Sequence, residues 1–392
     1  MARNSSSVYV HLPFCDRICP YCDFAVVEFK QERVARYLAA LHQELASCPQ
    51  PAAVSSVYLG GGTPSAHTQS EIASLLAALF AHFGIERGSV ECTLEANPSR
   101  NASALAGFRA AGVTRLSIGV QSFEDLELLR LGREHSARDA KTFVTAARKA
   151  GFANVNIDLI AGVPDQTSAS FARTLERAIA CESDHVSVYA LTIEEGTPYA
   201  NWFARRPERF PNDDRVADLL EQAESTLEEA GYVRYEISNY AKPGCESVHN
   251  LGYWRQQDCV ALGMSASGYD DGLRYRNVRG FEAYCDAIER GGSAREDEER
   301  LSTQARIGEA AMLALRTREG IRDSDFRDRF GIEARSFFSD AINKCRQAGL
   351  LEENPHGVRL SPRGRLLANT ACSEFLHPSF LPAPAGLGQT TS

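Results

Sequence analysis

Three cysteines crowd the stretch VYVHLPFCDRICPYCDF at residues 8–24, namely Cys15, Cys19 and Cys22. They are spaced by three residues and then by two. Thiols this close together can wrap one corner of a metal site, and Pro13 and Pro20 stiffen the loop that carries them. Two metal chemistries are open. A structural zinc ion wants four protein ligands, and His11 is the nearest candidate for the fourth. A [4Fe–4S] cube on three cysteines leaves one iron without a protein ligand, where a substrate or cofactor can bind. Incidental thiols are the third reading.

The other eight cysteines lie singly, and the total of eleven is odd. That is no disulfide framework, and it points to a reducing, cytoplasmic compartment. Further residues with chemical potential follow. Gly60, Gly61 and Gly62 in YLGGGTPS let backbone approach a ligand closely. Glu95, Gln121 and Asp158 each lie at or near the end of a β-rich run, and Arg133 follows Gln121 by twelve residues. Asp158 has apolar neighbours, so it needs a partner or a task.

Elements must hold these groups. Short β-rich runs at Val8–His11, Ser56–Leu59, Val90–Leu94, Arg115–Ile118, Asn154–Ile160 and His185–Leu191 alternate with helical patterns. The apolar positions Val34, Tyr37, Leu38, Leu41 and Leu45 mark one such helix face, and Gly151 and Gly231 read as C-terminal caps of two others. Strands alternating with helices imply a parallel sheet. Six units are too few for an eight-stranded barrel, so the pattern predicts an α/β fold built on a partial, TIM-like (β/α)6 barrel; a flat doubly wound sheet is the alternative. The barrel is expected over 1–240, with an extension of sheet edge and loops over 241–298. A small α+β domain is expected over 299–370, with helices capped by Ser302 and Ser339 and a hairpin turning at Asn354–Gly357. Its helix–hairpin order resembles a winged helix. Residues 371–392 are expected to be a disordered tail, from the Pro, Gly, Ser and Thr of its last part.

The 392 residues carry a net charge of −9, which argues against nucleic-acid binding. No apolar run is long enough to span a membrane, and MARNSSSVYV has no apolar signal core.

Cys-x3-Cys-x2-Cys with Tyr21 before the third cysteine resembles the signature of radical S-adenosylmethionine proteins. The resemblance implies that S-adenosylmethionine chelates the fourth iron through its amino and carboxylate groups, which explains three thiols instead of four. The longer motifs VYVHLPFC, YLGGGTP, EANP, SIGVQSF, IDLIAGVPDQT and YALTIEEGTP are similar to one branch, which holds oxygen-independent coproporphyrinogen III dehydrogenases and the HemW-type haem chaperones. Carried over, Tyr9, Gly61, Gly62, Thr63, Glu95, Gln121, Arg133, Asp158 and Ala190 become candidate S-adenosylmethionine contacts.

The dehydrogenases carry a further cysteine two residues beyond the third; here it is Phe24. They also carry an N-terminal arm, for which seven residues before the first β-rich run leave no room. The chaperones carry His-Asn-x-x-Tyr-Trp, matched by His249, Asn250, Tyr253 and Trp254. His249 becomes a candidate axial haem ligand, with Tyr253 and Trp254 packing on the porphyrin. Cys245 and Cys259 flank the motif and are read as structural. The expectation is a haem chaperone that hands haem to an acceptor protein; the alternative is oxidative decarboxylation of porphyrinogen propionates.

Overall fold

The structure, a computed structural model, describes residues 5–98 and 102–376. Six parallel strands follow each other in chain order across one sheet: β1 (Ser6–Leu12), β2 (Val54–Gly61), β3 (Glu91–Ala96), β4 (Arg115–Gln121), β5 (Asn154–Ala161) and β6 (His185–Ala190). The sheet has twelve strands in all. The stretch expected to add sheet edge does so beside β1, while the far side is extended by strands that fall almost wholly within the segment expected as barrel. Cys259–Leu262 joins β1 as a seventh parallel strand, and an antiparallel meander through Ser267–Asp270, Leu273–Asn277 and Arg295–Arg300 extends that side. Asn239–Ala241 and Val233–Arg234 pair antiparallel beyond β6. The last meander strand reads REDEER and is exposed throughout, a charged edge that discourages pairing with other chains.

Alternation along the strands decides what the barrel is for. Val8, Val10 and Leu12, Val57 and Leu59, Leu116 and Ile118, and Val155 and Ile157 are fully buried in one core with the helix faces. The alternate positions are polar: Tyr9 and His11, Ser56 and Tyr58, Glu91 and Glu95, Arg115 and Ser117, Asn156 and Asp158, His185 and Ser187. A strand's side chains switch face at every residue, so the apolar set faces the helices and the polar set faces inward. A barrel that serves only as scaffold fills its interior with branched apolar side chains. This one is polar from end to end.

The helices start and stop on local signals. Thr68, Ser136 and Thr167 each cap a helix and close a capping box. Gly151 and Gly231 adopt positive φ just past the helices Ala137–Lys149 and Asp213–Glu229. The C-terminal region has a core of its own. It packs helices Thr303–Leu315, Asp323–Phe330 and Ser339–Gln347 on a three-stranded sheet of Ile321–Arg322, Leu351–Asn354 and Gly357–Leu360. Ser302 caps as expected, accepting from the amide of Ala305. Ser339 does not cap; it is the first helical residue after Phe338. The tail expectation also needs correction at its start. Helix Ala368–Ser373 and Phe375 belong to the second core, because Ala371, Cys372 and Phe375 are apolar and buried there. Residues 377–392 lie outside the described residues.

Candidate functional site

The cysteine loop leaves the C-terminal end of β1. Its first residues pair with Val27–Glu28, and the turn after β2 zips alongside: the Gly62 amide donates to Leu12 O at 2.9 Å and the Thr63 amide to Phe14 O at 2.8 Å. Packing alone demands glycine here. Gly61 has φ +103°, and a Cβ on it would lie 2.3 Å from the His11 ring; a Cβ on Gly62 would lie 2.5 Å from the Pro13 carbonyl carbon. Polar groups reach the sulfurs. The Thr63 hydroxyl donates to Cys15 Sγ at 3.4 Å, and Arg133 Nη1 donates to Cys19 Sγ at 3.4 Å while Nη2 holds Gly119 O at 2.8 Å. Burial pushes the Cys15 thiol up to about 11 and raises Cys22 as well, so metal loading would release protons from these thiols.

His11 is not free to complete a zinc site. Its Nε2–H donates to Ala25 O at 2.8 Å, and its Nδ1 accepts from the Tyr9 hydroxyl at 3.0 Å. No three His, Cys, Asp or Glu side chains among the described residues could hold a single metal ion. A cube takes each thiolate on a different iron, so its ligands need not meet at one point. With His11 engaged, the loop offers three thiols, one short of the four ligands of a structural zinc site.

Below the loop, Glu95, Gln121 and Ala190 lie at or next to the C-terminal ends of their strands, and Asp158 lies within β5. Glu95 accepts from the Tyr58 hydroxyl at 2.8 Å and from the Gly61 amide at 3.0 Å, and burial raises its carboxyl to about 7. Gln121 closes β4 at φ 70°, beside a register shift that re-aims the strand end. Ala190 ends β6, paired with Ala161. Asp158 accepts from Ser117 Oγ at 3.0 Å and Asn156 Nδ2 at 2.8 Å; burial raises its carboxyl against those bonds. Tyr9 sits lower, stacked on Tyr58.

From Asp158 a hydrogen-bonded chain crosses the barrel. Asn156 Oδ1 accepts from His185 Nδ1 at 2.7 Å, and His185 Nε2 accepts from the Tyr235 hydroxyl at 2.9 Å. That hydroxyl accepts in turn from Asn250 Nδ2 at 3.3 Å. Tyr58, Asn156, His185 and Tyr235 were not singled out from the sequence. The polar alternation within the strands was the signal that could have found the first three.

The chain ends on the motif helix, Val248–Trp254, at the N-terminal end of the barrel and opposite the cysteine loop. Ser247 caps it, and the Glu91 carboxylate accepts from Ser247 Oγ and from the amides of Val248 and His249. His249 is only 4% exposed. Its Nδ1 meets Ser56 Oγ at 3.0 Å, its ring stacks on Tyr58 at 4.9 Å, and burial lowers its pKa to about 3, so it is neutral. Tyr253 and Tyr189, each 42% exposed, line the same interior cavity of about 190 Å³, below the ~300–1,000 Å³ of a usual ligand pocket. Trp254 turns the other way, with the Arg316 guanidinium 5.9 Å from its ring. The four motif residues therefore share no flat platform for a porphyrin in this conformation.

A thiol loop above an open barrel with a polar interior is the architecture of a radical S-adenosylmethionine protein, and the sequence profile of the Radical SAM superfamily matches residues 9–178. The profile of the HemN C-terminal domain matches residues 301–367. The chain is 34% identical to the haem chaperone HemW of Bacillus subtilis (strain 168) over 375 residues, covering 94% of this chain and 99% of that one. It is 38% identical to haem chaperone HemW of Escherichia coli (strain K12) over 289 residues, covering 70% and 75%. The chain belongs to the HemW family of the radical SAM superfamily. The solved structure of coproporphyrinogen III oxidase (HemN) from Escherichia coli shares the fold, with a TM-score of 0.82 over 95% of this chain and 90% of that one, at 24% identity.

Proposed function

We propose that this protein is a haem chaperone of the cytoplasm, which binds haem, carries a [4Fe–4S] cluster with S-adenosylmethionine, and passes haem to an acceptor protein. The observation that carries the reading is the likeness to HemW proteins along nearly their whole length. Cys15, Cys19 and Cys22 would hold the cluster, with Arg133 and Thr63 donating to two of the sulfurs. Bound there and reduced, the cluster would supply an electron to the sulfonium of S-adenosylmethionine. Glu95, Asp158, Gln121 and Ala190 would receive the cofactor's polar groups at the strand ends, with Tyr9 beneath and the backbone of Gly61 and Gly62 closing the loop side. Eleven free cysteines suit a reducing compartment, and no helix among the described residues is long and apolar enough to cross a membrane.

Phe24 is 68% exposed where the dehydrogenase resemblance expects a thiol. Neutral His249, with Nε2 lacking a partner among the described residues, suits iron ligation in its chemistry. Its burial sets a condition: the motif helix must leave the barrel floor before His249, Asn250, Tyr253 or Trp254 can receive haem. The test is an anaerobic haem titration of cluster-reconstituted protein by Soret absorbance, with Cys19→Ser and His249→Ala beside it. Expected are about one haem per chain, weaker binding in His249→Ala, and loss of the broad cluster absorbance in Cys19→Ser. No saturable haem binding would defeat the chaperone reading, and turnover of coproporphyrinogen III with S-adenosylmethionine and a reductant would replace it.

A further inference from the structure

One charged group in the barrel has no hydrogen-bonded partner, although the buried carboxylates Glu95 and Asp158 feel its charge. Arg115 opens β4 and is 3% exposed, yet it makes no hydrogen bond or ion pair with any described residue. Arg115 lines the cavity of about 190 Å³. The carboxylates nearest in the barrel are engaged elsewhere. Both Asp158 oxygens accept from Ser117 and Asn156, and the Glu95 oxygens accept from Tyr58 and Gly61. A guanidinium withdrawn from water without a hydrogen-bonded partner favours the binding of an anion. A second group points to the same ligand. His249 also lines the cavity, its Nε2 lacks a partner among the described residues, and when Ser56 donates to Nδ1 it carries a proton to donate.

Size and charge narrow the class. At about 190 Å³ the cavity has room for a small molecule. Glu95 and Asp158 already place acidic groups in this interior, which disfavours a dianion. We propose that the barrel floor is a binding site for a small monovalent carboxylate, with Arg115 as its charged anchor and His249 as a second donor. The site is present in haem-free protein and does not depend on haem binding.

The experiment is calorimetric titration of haem-free, cluster-reconstituted protein with acetate and, separately, with inorganic phosphate, at constant ionic strength. Wild type should bind about one acetate per chain, more tightly than phosphate. Arg115→Gln should weaken acetate at least tenfold, roughly 1.4 kcal/mol, and Arg115→Lys should restore part of it. Absence of saturable acetate binding in wild type overturns the proposal, as does binding unchanged in Arg115→Gln. Phosphate binding as tight as acetate overturns the monovalent assignment. If Arg115→Gln does not fold, acetate-dependent shifts of the His249 ring resonances in wild type read the same contact, and unmoved resonances overturn it.

Discussion

At the scale of single residues, Glu95 is where burial and chemistry meet. Its carboxyl is held at about 7 instead of its ordinary 4.5, chiefly by burial. Between those values the folded chain keeps a proton that the unfolded chain has released. The unfolded state then binds fewer protons, so the stability owed to Glu95 is full below about 4.5 and falls as pH rises to about 7. Glu95→Gln has no proton to lose. Thermal melts at several pH values from about 5 to about 8 should show a flatter profile for the variant, with its relative stability rising with pH. Parallel profiles would mean that Glu95 is ionised throughout. Nothing in EANP distinguishes this acid from an ordinary one. Its state depends on burial inside the folded sheet, which the hydroxyl of Tyr58, 37 residues away in sequence, opposes by donating to it.

Among the elements, the motif helix is the least self-sufficient. Seven residues cannot hold a helix in water, so Val248–Trp254 depends on what fixes its ends. Glu91, at the start of β3 and 156 residues from Ser247, takes three donors at its N-terminus. Glu91→Ala should destabilise the protein by about 1.5–3 kcal/mol, the range for hydrogen bonds to a charged group. Urea unfolding followed by tryptophan fluorescence reads this, because Trp254 is one of two tryptophans and sits on this helix. A change below a few tenths of a kcal/mol would mean that packing alone seats the helix. Its short-range signals were legible in part: His249, Asn250, Tyr253 and Trp254 stood out together. That the helix plugs the barrel floor was not legible, because the register joining it to Glu91 and Ser56 exists only after the sheet has formed.

The whole molecule has two main cores, one under the large sheet and one around Phe338 and Phe375. The motif helix lies between them, with Tyr58 on one side and Arg316 on the other. Phe375→Ala should cost the second core about 3–5 kcal/mol, the usual price of emptying a buried phenylalanine site. It should give calorimetry an earlier, separate transition while iron and sulfide per chain stay as in wild type. Loss of the cluster along with the second core would show that the two cores unfold as one. By itself the sequence determined the cysteine loop, the succession of strands and helices, and the polar alternation within the strands, because spacing and period are local properties of a chain. Only the tertiary structure decided that Gly61 and Gly62 answer to His11 and Pro13, that His11 is spent on Ala25 and Tyr9, and that Arg115 is left without a hydrogen-bonded partner. Each of these depends on which side chains the folded sheet brings within a few ångströms, and no spacing along the chain encodes that distance.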